Sequence, residues 1–97
     1  MRLVLHPKVY SDIEKIMQYY EQVATRTLAD QFYSDLRALM VQAAATPEQY
    51  AIRHADIRRA NLRRFPYHSL FRVVGDLVRV LVIRHHSRHP TVGTERR

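Results

Sequence analysis

Tyr67-His68-Ser69-Leu70-Phe71-Arg72-Val73-Val74-Gly75-Asp76-Leu77-Val78-Arg79-Val80-Leu81-Val82-Ile83-Arg84 is two hydrophobic runs joined by a glycine-aspartate pair. Both runs are rich in Val, Ile, Leu and Phe with a period near two, and Gly75-Asp76 is a compact hairpin signal. Upstream, residues 57–64 form a third run of the same kind, separated from the second by Phe65-Pro66. Pro66 lacks a backbone donor and so belongs at a turn or a sheet edge. A three-strand antiparallel meander over residues 57–64, 67–74 and 77–84 is therefore predicted. Strand alternation puts Arg72 and Val74 on one side and Phe71 and Val73 on the other, which takes Arg72 out of the core.

Towards the N-terminus the period changes to that of a helix. Val9, Ile13, Ile16, Tyr20 and Val23 recur at spacings of three and four, with Lys8, Asp12, Glu14, Lys15 and Glu21 between them. Pro7 suits the first turn of that helix, and residues 2–5 before it alternate weakly as a short strand. Thr25 or Thr27 can cap a second helix carrying Leu28, Phe32, Leu36, Leu39, Met40 and Ala43 on one face, ending at Thr46-Pro47. Asp12, Glu14, Asp30 and Asp35 read as solvated helix charge. The expected fold is α+β in a single domain, residues 1–97: an N-terminal strand, a two-helix hairpin and the meander, with the helices packed on one face of the sheet and the other face open.

The chain has no cysteine, which excludes a disulfide scaffold, a thiolate zinc site and a cysteine nucleophile. Its apolar runs are too short to span a bilayer and its start lacks a secretory h-region, so a cytoplasmic protein with no membrane partner is expected. Of its 16 cations, 14 are arginine. Residues 1–50 carry 5 cations and 6 acids, whereas residues 51–97 carry 11 arginines and 3 acids, with five of the six histidines. All the excess charge lies in one half, which implies an anionic partner; on composition alone nucleic acid, an acidic protein segment and a membrane surface all qualify.

Two clusters concentrate that charge. Arg58, Arg59, Arg63 and Arg64, with Phe65 and Tyr67 nearby, offer ion pairing and base stacking to a phosphate backbone, with Asp56 as a local ion-pair partner. Arg84-His85-His86-Ser87-Arg88-His89-Pro90 follows the last strand. No cysteine accompanies its histidines and the acids are distant, so no metal and no cofactor is expected. Acid-base chemistry is the better use. Cleaving RNA at its 2′-hydroxyl needs a base, an acid and cations for the phosphorane, and His with Arg supplies all three.

The order of these parts resembles the RelE/ParE toxin superfamily over nearly the whole chain. It is closest to the ParE-like branch, in which Phe-Pro-Tyr, a hydrophobic strand, a turn, another hydrophobic strand and His-x-x-Arg-x-Pro follow one another; Phe65-Pro66-Tyr67 and His85-His86-Ser87-Arg88-His89-Pro90 carry the match. Arg96 matches a family tail arginine, and the aromatic near Gly93 is missing. The resemblance implies a type II toxin held inactive by a co-encoded acidic antitoxin whose C-terminal segment wraps around helices and sheet. ParE-like members inhibit DNA gyrase, the first expectation; RelE-like members cut mRNA on the ribosome, the second; a basic nucleic-acid-binding domain is the third. For a ribonuclease the implied catalytic set is Arg59, His68, His85, His86 and Arg88. RelE-type basic positions fall on Arg59, Asn61, His68 and Arg88, where Asn61 replaces a lysine, His68 replaces an arginine, and Thr94 lies nearest the absent tail tyrosine. For a binding toxin the implied contacts are Arg58, Arg59, Arg63, Arg64, Arg72, Arg88 and Arg96.

Overall fold

In the computed structural model, which describes residues 1–97, the chain runs through β1 (Arg2–Leu5), α1 (Pro7–Val23), α2 (Arg26–Ala45), a 3₁₀ turn (Pro47–Gln49), β2 (Ile52–His54), β3 (Ile57–Asn61), β4 (Tyr67–Val74) and β5 (Leu77–His85). The strands make one sheet in the order β1-β5-β4-β3-β2, antiparallel except for the β1–β5 pair. A parallel pair needs a long crossover, and the helical hairpin is part of the connection that supplies it.

Both helices start as their caps dictate. Pro7 occupies the first turn of α1 while His6 accepts from the Lys8 amide, and Thr25 accepts from the Leu28 amide at 3.0 Å. Val9, Ile13 and Ile16 of α1 and Phe32, Leu36, Met40, Ala43 and Ala44 of α2 bury their stripes against Ala60, Tyr67, Phe71, Val78, Val80 and Ile83. Tyr20, Phe32, Phe65 and Tyr67 meet there largely edge to face, the arrangement their ring quadrupoles favour.

A β-bulge redirects the second half of β5. Leu70 pairs with Val82 and Phe71 with Val80, which leaves Leu81 unopposed. Val78 and Val80 before the bulge, and Ile83 after it, face the helices; Val82 and Arg84 turn to the opposite side. Simple alternation through the run places these residues wrongly.

Three further features depart from the sequence expectation. The sheet has a fifth strand, β2, whose residues are all exposed and therefore carry no hydrophobic alternation to announce it. Its hairpin with β3 turns through Ala55 at φ 50, the left-handed region. The run from residue 57 stops at Asn61 rather than continuing to residue 64. The face away from the helices is also not open. Ile57, Leu70, Leu81 and Val82 form a second apolar cluster there, and the C-terminal segment lies over it. Gly93, at φ 83, sits so close that a Cβ on it would stand 2.6 Å from that of Val82, so both its conformation and its contact require glycine.

The charge of Asp12 is not a solvated one. Beyond Val80, β5 has outrun β1, and its backbone groups need other partners. Asp12 accepts from the Ile83 amide at 3.1 Å, and the Arg96 guanidinium donates to the Leu81 carbonyl at 3.0 Å. The two side chains then pair at 2.6 and 3.2 Å, with side chains only 16% and 14% exposed. One ion pair thus closes the strand edge and pins the tail to α1. No helix is long and apolar enough to cross a membrane.

Candidate functional site

The tail-facing side of the sheet brings Arg59 of β3, His68 of β4, and Arg84 and His86 at the end of β5 into one hydrogen-bonded chain. Alternation aims Arg59 and His68 at this side, and the bulge at Leu81 adds Arg84 to it. Arg84 Nε donates to His68 Nε2 at 2.8 Å. Because guanidinium only donates, this ring nitrogen is bare and the His68 proton sits on Nδ1. That N–H faces His86 Nδ1 at 2.9 Å, and Arg59 Nη2 reaches the same atom at 3.3 Å. His86 consequently carries its own proton on Nε2. The two rings are nearly parallel, at 12°, with centroids 5.2 Å apart, which suits an in-plane N–H···N bond.

Electrostatics keeps both histidines neutral. His68, 1% exposed, has its pKa pushed down to about 3 by burial first and by the charges of Arg59 and Arg84 next. Burial and Arg59 lower His86 in the same direction. Arg59 and Arg84 are themselves lowered, chiefly by burial, although guanidinium stays charged at neutral pH. Arg84 also holds the tail: its Nη1 faces the carbonyls of Pro90 at 2.7 Å, Val92 at 2.9 Å and His89 at 3.2 Å.

The remaining residues expected at a site are dispersed. His85 lies on the helix-facing side, edge-on to Tyr67 at 5.1 Å, and its Nδ1 is met by the amide and hydroxyl of Ser87. Strand alternation therefore separates His85 from His86. Arg88 is exposed beside the Arg59 and His86 end of the chain. Arg58, alternating with Arg59, leaves the tail-facing side and donates to the Tyr50 carbonyl at 2.8 Å. Arg63 is exposed, and Arg64 makes a two-pronged pair with Asp35 at 3.0 Å. Arg72 lies 3.7 Å from Asp56, and Arg96 is held by Asp12.

Two contributors were missing from the expected sites. Arg53, on the unforeseen strand β2, faces the same end of the chain as Arg88. Arg84 stood in the sequence cluster, yet only the bulge shows that it points inward. No three or more His, Cys, Asp or Glu side chains gather as a metal would require. The donors here are cationic or neutral, and they suit an anion.

A search of curated proteins finds no match. Among solved structures, the chromosomal ParDE TA system from P. aeruginosa is similar to this chain with a TM-score of 0.78 at 24% identity, covering 88% of this chain and 95% of that one. At that identity the likeness is one of fold. The family model for the ParE toxin of the type II toxin-antitoxin system, parDE, matches residues 3–90, from β1 to the end of the His-x-x-Arg-x-Pro segment. The chain belongs to the ParE toxin family and is a ParE-like toxin of a type II toxin–antitoxin system.

Proposed function

We propose that this toxin arrests growth by binding and inhibiting DNA gyrase in the cytoplasm, and that it does not cut mRNA. The observation that carries the reading is the direction of the hydrogen bonds in the histidine chain. A general base needs a bare nitrogen within reach of the hydroxyl it deprotonates. Both nitrogens of His68 are engaged inside the protein, and His86 Nδ1 faces two donors. The free His86 Nε2 carries a proton and is not a base. His85, the other member of the expected acid-base set, lies across the sheet. What this side of the sheet offers instead is fixed positive charge, suited to an acidic protein surface.

The antitoxin of such a system is, on the same reading, an acidic amphipathic segment. Tyr10, Tyr19, Val23, Tyr33 and Val41 are exposed along the helices, and the basic half of the chain supplies the complementary charge. A segment of that kind orders as it binds. Gyrase supercoiling and ribosome-coupled mRNA cleavage, assayed in parallel with the purified chain, test the target. Inhibition of supercoiling with intact mRNA is the expected result; cleavage with unaffected supercoiling would overturn the reading.

A further inference from the structure

Between the β2–β3 hairpin and the segment after β5 lies a cavity of about 190 Å³. Arg53, His54, Arg59, Arg84, His86 and Arg88 line it, and Ile57 and Leu70 are among its other walls. No carboxylate does. The arginines that do have acidic partners, Arg64, Arg72 and Arg96, belong to other parts of the surface.

We propose that this cavity binds a phosphomonoester dianion. Four arginines line it, none of them has an acidic partner, and Arg84 keeps Nη2 free of the contacts that its Nε and Nη1 make. A carboxylate would offset one of those charges, whereas a phosphoryl dianion offsets two and presents three terminal oxygens to planar donor forks. The cavity is smaller than the roughly 300 Å³ at which sites for drug-sized ligands begin, so it takes a phosphoryl group and leaves the rest of a molecule outside.

Half of the receptor is already in place. Arg59 is oriented by Asn61 Oδ1 at 2.8 Å and by His86, and Arg84 is fixed by His68 and the tail carbonyls. Preorganised donors of this kind bind without the ordering cost that mobile side chains incur. Arg53 and Arg88 are exposed and come from two different segments, where they can close on the bound group. The N–H at His86 Nε2 is a further donor left free by the hydrogen-bond chain. Burial that lowers the pKa of Arg59 and Arg84 also means that water screens these charges poorly, which strengthens attraction for an anion.

This inference stands whether or not gyrase is the target. Free phosphate and the phosphate of a nucleotide share the chemistry, and titration calorimetry of the full chain with inorganic phosphate, AMP and adenosine separates them. One equivalent of phosphate and of AMP should bind, and adenosine should not. Equal affinity for the two assigns the site to the phosphoryl group itself; tighter AMP binding assigns it to a nucleotide. Arg53→Ala and Arg88→Ala should each weaken binding about tenfold or more, the loss expected for one charge-assisted contact. Arg53→Lys and Arg88→Lys keep the charge without the fork and should fall between. Arg37→Ala, an exposed arginine on α2, should leave affinity unchanged. No saturable binding of phosphate or AMP, equal binding of adenosine, or folded Arg53→Ala and Arg88→Ala variants that bind as tightly as the parent would overturn it.

Discussion

The two faces of one sheet are held by different physics. On the helix side, Phe32, Leu36, Phe71 and Val78 are fully buried among other apolar groups, and their contribution scales with the surface removed from water. On the tail side, a small apolar patch lies under a segment held largely by directional contacts: Arg84 to three carbonyls, Arg96 to Asp12, and Gly93 against Val82. The first face tolerates exchange of one apolar residue for another of similar volume. The second depends on particular donors, so the side with the cationic site is also the one that a single polar substitution can open.

The largest effect should come from the helix side. Phe32→Ala removes a fully buried ring at the centre of the aromatic cluster and should cost about 3–5 kcal/mol, read from urea unfolding midpoints. If the loss is below that of Arg84→Met, the ranking of the two faces is wrong.

Arg84→Met keeps an unbranched side chain and removes the donors that face His68 and the tail carbonyls. It should cost about 2–4 kcal/mol, because the buried His68 Nε2 is left without a donor and the half-buried tail carbonyls lose theirs. Its signature is local. Protease should cut first within residues 86–97, while the helical signal persists. Global unfolding without preferential tail cleavage would show that Arg84 supports the whole sheet and not the tail.

Acid should weaken the tail side before it affects the carboxylates. An unfolded His68 titrates near 6.5 and the folded one near 3, so between these values the unfolded chain holds a proton that the folded chain lacks. Stability is therefore highest above pH 6.5 and falls as the pH drops through this window, by at most about 1.4 kcal/mol per pH unit from this group. His86 adds in the same sense. Between pH 7.5 and 5 the fall from His68 should be about 2 kcal/mol, and His68→Asn should reduce the slope to the part that His86 contributes. A slope undiminished by His68→Asn would contradict the assignment.

How much of this was legible in the sequence follows the same division. Hydrophobic periodicity located both helices, β1, β4 and β5, because a stripe that must be buried leaves a regular spacing. It could not locate β2, which buries nothing. It gave the extent of β5 to within one residue but not its facing, since a bulge changes facing without changing composition. Asp12 looked like ordinary helix charge, and only the tertiary position of Ile83, seventy-one residues away, makes it a backbone acceptor. Of the candidate site, residue types and their half of the chain were legible. Which of them meet was not, because strand register separates His85 from His86 and brings together Arg59 and His86, twenty-seven residues apart.

The smallest effect tests the unforeseen hairpin. Ala55 holds a positive φ that costs a residue with a Cβ about 1–2 kcal/mol, so Ala55→Gly should raise stability by up to about 1 kcal/mol once the added freedom of the unfolded chain is counted. A destabilised Ala55→Gly variant would mean that the turn is not strained.

The central claim is that this side of the sheet binds a target and does not perform acid-base chemistry. Titrating gyrase supercoiling with the parent chain, Arg88→Ala and His86→Ala tests it most directly. Arg88→Ala should raise the half-inhibitory concentration about tenfold to a hundredfold, the loss of one charge-assisted contact, while His86→Ala should shift it by less. A folded Arg88→Ala variant of full potency, or a His86→Ala variant crippled by the roughly 100-fold to 10,000-fold typical of a lost general acid or base, would contradict the account.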